Sequence, residues 1–184
     1  MKQRFTWRRA VVFVSTVSVG QVQAASALVN RSLTGLTAVR IIVEDLNRNT
    51  QATGLHKEQL YTLAVQQLGK NGFAVVGPQD PTKAPIVYIR LSSVIGGADK
   101  EAPVSFYLTV QVKQLTMLAQ EVSGTCQATA APDPPPLLAT TWEKGSMAMV
   151  HRNELFFYTQ HILMNLLGDL ATDQQQANGL SQAE

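Results

Sequence analysis

Val104–Leu118 reads VSFYLTVQVKQLTML. Apolar Val104, Phe106, Leu108, Val110 and Val112 alternate with Ser105, Tyr107, Thr109, Gln111 and Lys113. Successive side chains on a strand point to opposite faces, so a period of two predicts one face in a core and one face toward solvent. A strand over the whole stretch would extend about 50 Å, well beyond the ordinary length, so a bend or bulge is expected within it.

Working outward, Ile86–Val94 repeats the pattern, with Val87, Ile89 and Leu91 on one face, and the turn-rich Gly96–Pro103 links it to the long strand. On the other side a loop, Glu121–Leu138, carries the run Pro134-Pro135-Pro136 and leads to a strand over Ala139–Val150. Consecutive strands joined by short links pair antiparallel. Further upstream, Val39, Ile41 and Val43 alternate within a strand over Leu36–Leu46, and Asn47–Gly54 reads as a polar loop. Leu60, Leu63, Ala64 and Leu68 then fall along one face of a helix over His56–Lys70, which Asn71-Gly72 ends before a short strand, Phe73–Val76. Asn153 is expected to cap a final helix, with Glu154 in its first turn and Leu155, Ile162, Leu166 and Leu170 at helical spacing. The order predicts an α+β fold: a largely antiparallel sheet of four to five strands with two helices packed on one face. The single domain is expected over residues 35–172, between a flexible lead-in (25–34) and a polar, Gln-rich, disordered tail (173–184).

Residues 1–24 have the order of a cleavable signal peptide. Lys2, Arg4, Arg8 and Arg9 precede the apolar run Ala10–Gly20, and Val22-Gln23-Ala24 offers small or medium residues for cleavage near Ala24. The run is too short to span a bilayer, which takes about 20 apolar residues. A periplasmic or secreted location is expected, with no transmembrane anchor after cleavage. The segment holds 4 of the 15 basic residues and none of the 13 acids, so the remainder carries 11 − 13 = −2. Without a basic cluster there is no electrostatic footprint for nucleic acid. Cys126 is the sole cysteine, so no disulfide forms within the chain.

Spacing argues against the common chemistries. Asp45-x-Asn47-x-Asn49 copies half a calcium loop, but Thr50 stands where the turn needs Gly and His56 where the bidentate Glu belongs; an Asx-rich turn explains the same letters. His56, His151 and His161 are too scattered for a zinc site, and no G-x-S-x-G elbow, P-loop or dinucleotide fingerprint occurs. No catalytic residue, metal ligand or cofactor is expected.

Leu60–Val76 delivers an amphipathic helix and then Gly72-Phe73-Ala74-Val75-Val76, followed by a Pro/Asp turn and a strand. This resembles small bacterial envelope modules of the TolB N-terminal and CsgG-like type. The resemblance implies a non-enzymatic accessory domain that binds a partner protein at the cell envelope, and it transfers no functional residue. An exposed edge strand can take a partner strand by backbone hydrogen bonds, with Tyr88, Arg90, Tyr107, Thr109, Gln111 and Lys113 as candidate contacts. Two rival expectations are an enzyme whose fold gathers Glu44, Asp45, Glu121 and Glu143, and a small-ligand carrier with a cavity between helices and sheet.

Overall fold

The computed structural model describes residues 32–77, 83–97, 99, 101–116 and 136–181. Five strands form one sheet: β1 (Ala38–Val43), β2 (Ala74–Val76), β3 (Ile86–Ile95), β4 (Pro103–Thr116) and β5 (Leu137–His151), in the order β2-β1-β3-β4-β5. β1 pairs parallel with both β2 and β3, whereas β3-β4-β5 is an antiparallel meander. The helices are α1 (Arg48–Gln51), α2 (Lys57–Lys70) and α3 (Leu155–Ser181). α2 packs on β1 and β2, α3 packs on β4 and β5, and the two helices pack on each other. The fold is therefore α+β with a mostly antiparallel sheet, as the alternation predicts.

The core lies between the sheet and those two helices. Val39, Ile41, Val87, Ile89, Leu91, Val104, Phe106, Leu108, Val110 and Val112 supply the sheet side. Leu60, Ala64 and Leu68 of α2 and Leu155, Leu163, Leu167 and Leu170 of α3 supply the helical side, all fully buried. The α2 stripe lies where the sequence puts it, with Leu63 only half buried. α2 ends as expected too. Gly72 takes a φ of 88°, which favours glycine, and the Phe73 amide reaches back to the Leu68 carbonyl at 3.0 Å. The bulge expected within β4 lies instead in its partner: Val112 pairs with Trp142 and Lys113 with Thr140, leaving Thr141 of β5 as the extra residue.

Four expectations need correction. The chain from Asp173 to Ser181 is helix, not disordered tail. Its polar residues bind inward. Asp173 accepts from Trp142 Nε1 at 2.9 Å, Gln174 donates to the Leu36 carbonyl at 3.0 Å, Asn178 accepts from the Gly35 amide at 2.9 Å, and Ala177 is buried. Within the expected lead-in, Leu33 is completely buried and the Ser32 hydroxyl donates to the Thr141 carbonyl at 3.0 Å; residues 25–31 lie outside the described residues. The Asn47–Gly54 loop contains α1, capped by Asn47 Oδ1 at 2.8 Å from the Thr50 amide. Finally, α3 begins not at an Asn153 cap but through a 3-10 turn, Arg152–Glu154, with His151 at the cap position and its amide 3.4 Å from Glu154 Oε2. The predicted signal peptide, the Pro run up to Pro135, Glu121 and Cys126 lie outside the described residues.

Candidate functional site

The face of the sheet opposite α2 and α3 is where the alternation leaves side chains without a core. Strand register sets them in rows, because residues directly opposite each other point the same way. Ile42, Tyr88, Gln111 and Glu143 form one row. Arg90, Thr109 and Gly145 form the next, then Ser92, Tyr107 and Met147, then Val94, Ser105 and Met149. The expected contacts Tyr88, Arg90, Tyr107, Gln111 and Lys113 thus all stand on this one face. Thr109 stands there as well, but only 4% of it is exposed, so it offers no contact surface.

A polar cluster occupies the β1 side. Glu44 Oε2 accepts from the Tyr88 hydroxyl at 2.9 Å and lies 3.3 Å from Arg90 Nε. The Lys113 ammonium sits 3.9 Å above the Tyr88 ring, a cation–π contact. The hydrogen bond to Glu44, and then burial, push the Tyr88 phenol above its ordinary value. Both members of the Glu44–Arg90 pair are well exposed, so the pair positions the side chains more than it stabilises the fold.

An apolar patch occupies the β5 side. Val94 is 74% exposed, Met147 77%, Met149 72% and Tyr107 45%. Gly145 is part of this surface by necessity. A β-carbon there would overlap the Tyr107 hydroxyl and come within 2.7 Å of its Cζ and 2.8 Å of Thr109 Cγ2. The Tyr107 ring therefore lies over bare backbone, covering the glycine of an outer strand. Beyond β5 no further strand pairs among the described residues, so its whole length, Leu137–His151, is an open edge.

Other candidate chemistries are dispersed. Glu44 serves Tyr88 and Arg90, while Asp45 pairs with Lys57 at 2.5 Å on the way into α2. Glu143 stands on β5, across β3 and β4 from β1, about 14 Å away by strand spacing. Asn47 of the calcium-like stretch is occupied as the α1 cap. Among the described residues no three His, Cys, Asp or Glu side chains gather into a metal site. No helix among them is long and apolar enough to cross a membrane.

Sequence reasoning missed Glu44 as the anchor of the polar cluster, and Val94, Met147 and Met149 as an apolar patch. The alternation in Ala139–Val150 puts both methionines on one face, but only the pairing with β4 brings them beside Tyr107.

No protein-family model and no curated protein matches the chain. The resemblance of Leu60–Val76 to TolB N-terminal and CsgG-like modules therefore has no family match behind it. Among solved structures, the chain is similar to a hypothetical protein from Chlamydia trachomatis, with a TM-score of 0.43 and 7% identity over 75% of this chain and 97% of that one. It is also similar to a minor lipoprotein from Acinetobacter baumannii, with a TM-score of 0.35 and 12% identity over 79% of this chain and 93% of that one. Similarity at these scores carries no argument about function.

Proposed function

We propose that this chain is an exported, non-enzymatic accessory module of the cell envelope that binds a partner protein on the uncovered face of β3-β4-β5. The observation that carries the reading is the apolar patch of Val94, Tyr107, Met147 and Met149 beside the polar cluster of Arg90, Tyr88 and Lys113. A contiguous apolar surface rimmed by polar groups is the usual composition of a protein-docking surface. Tyr107 and Arg90 are also of the residue types that dominate binding energy at such surfaces. The open edge of β5 adds unpaired backbone to which an extended segment can hydrogen-bond. The export part of the reading rests on the composition of residues 1–24.

A photo-crosslinking amino acid placed at Tyr107 tests it, with Tyr61 on α2 as the control because it is similarly exposed, at 39%, but belongs to the opposite layer. In cells, position 107 is expected to give a discrete adduct that position 61 does not, and Arg90→Ala is expected to weaken it. No adduct at 107, or the same bands from both positions, would overturn the proposal.

A further inference from the structure

Among the described residues β5 is an open edge over Leu137–His151, but not all of that edge can pair regularly. The extra residue Thr141 breaks the ladder near its start, and a bulge turns an edge away from a further strand. From Trp142 to His151 the register with β4 is unbroken. Two common guards of an open edge are missing from this stretch. It contains no proline, and its one lysine is held toward α3, with Lys144 Nζ 3.0 Å from Asp173 Oδ2 and 3.6 Å from Asp169 Oδ2. The alternate positions Glu143, Gly145, Met147, Met149 and His151 face away from α3. An acid stands at one end of this row and an imidazole at the other.

We infer that this edge pairs with β5 of a second copy of the chain, antiparallel and about a two-fold axis at Met147. The inference rests on the docking reading for the open edge and names the segment that takes it. Such an axis keeps each face of the sheet continuous, so the alternate positions of one copy oppose those of the other. Length and charge choose the register. Pairing all of Leu137–His151 centres on Lys144, which sets that ammonium against its copy and runs through Thr141. Centring on Ser146 sets Glu143 against Met149 and His151 against Thr141. Centring on Met147 spans Glu143–His151, wholly within the regular stretch, and opposes Glu143 to His151 at both ends. His151 Nδ1 lies 3.0 Å from the Glu101 carbonyl oxygen, which holds the ring and leaves Nε2, as the second N–H of the charged ring, to donate to that carboxylate. The same register brings each Met149 to Gly145 of the other copy, beside the Tyr107 ring that lies over it, a contact that sulfur and aromatic rings favour. Nine paired residues supply about eight to ten backbone hydrogen bonds, as many as an ordinary protein interface carries. The docking patches of the two copies then adjoin on one face.

The test uses the purified chain carrying Cys126→Ser, so that no native thiol links two copies. Sedimentation equilibrium should show a reversible dimer. A chain that stays monomeric up to about 1 mM overturns the inference, while an adduct of position 107 with another protein would still uphold the docking reading. On oxidation, Met147→Cys in the same background should link two copies, because β-carbons directly opposite each other stand about 4.5–5.5 Å apart. Met149→Cys should link at least about tenfold less, because its two copies stand about 13 Å apart along the strands. Equal linkage at both positions, or more at 149, overturns the register. His151→Asp keeps a residue suited to the cap position but sets carboxylate against carboxylate at both ends. It should weaken the dimer about tenfold, and adding Glu143→Lys should restore it. A His151→Asp chain that dimerises as the parent does also overturns the register. The parent's sedimentation and the two thiol variants, at well-exposed positions, decide the matter if a charge variant folds poorly.

Discussion

Replacing Gly145 by Ala should destabilise the protein only while Tyr107 lies across it. The new methyl must displace the Tyr107 ring and crowd Thr109 Cγ2. A fully buried tyrosine hides about 150–250 Å2, and Tyr107 is 45% exposed, so on the order of 100 Å2 of its surface is covered in place. At about 25 cal/mol per Å2 that covered surface is worth roughly 2.5 kcal/mol as an upper bound. Ala in a strand recovers about 0.5–1 kcal/mol relative to Gly. The net expectation is a loss of about 1–2 kcal/mol for Gly145→Ala. In a Tyr107→Ala/Thr109→Ser background the obstruction is gone, and the same change should become stabilising by about 0.5–1 kcal/mol. The effect thus reverses sign between backgrounds, with a coupling of about 2 kcal/mol. Urea unfolding followed by fluorescence of the buried Trp142 gives the four stabilities. If Gly145→Ala costs the same in both backgrounds, the ring is not held against the glycine and this account of the patch is wrong.

Three other outcomes are expected. The Tyr88 phenol is raised by its hydrogen bond to Glu44, so its contribution to stability is present below the unfolded phenol value of about 10 and is lost as pH rises through the higher folded value. Absorbance at alkaline pH should show Tyr88→Phe removing a phenol that titrates above the ordinary tyrosine value; an unchanged upper limb would contradict this. Ending the chain after Thr172 removes the partners of Trp142 Nε1, the Leu36 carbonyl and the Gly35 amide, and should cost about 2–4 kcal/mol at roughly 1 kcal/mol per hydrogen bond plus the unpaired indole; an unchanged denaturation midpoint would restore the disordered-tail reading. Thr159 is fully buried on α3 with its hydroxyl unpaired, so Thr159→Val should raise stability by about 1 kcal/mol, and a destabilised variant would mean that the hydroxyl has a partner.

Local patterning was enough for the elements themselves. The alternation in Val104–Leu118 reports burial directly, because one face of β4 must meet the helices and the other has nothing to meet. The same rule put Tyr88 and Arg90 on one side of β3 and Tyr107, Gln111 and Lys113 on one side of β4, and the pairing of the two strands joined those sides into one face. α2 was equally legible, since its stripe and its glycine stop are both written within a few residues.

What only the tertiary structure decided depends on contacts between distant segments. Residues 173–181 look solvated in isolation, yet their side chains satisfy groups more than 30 residues away, so composition misjudged them. β2 and β3 flank β1 in parallel, a topology that no local period encodes. The apolar patch also acquires its setting only when β5 pairs with β4, which ends some 20 residues earlier in the sequence. Sequence by itself determined which side chains share a face, because strand period is a property of the backbone. Which faces lie side by side was left to register and packing, which are properties of the whole chain.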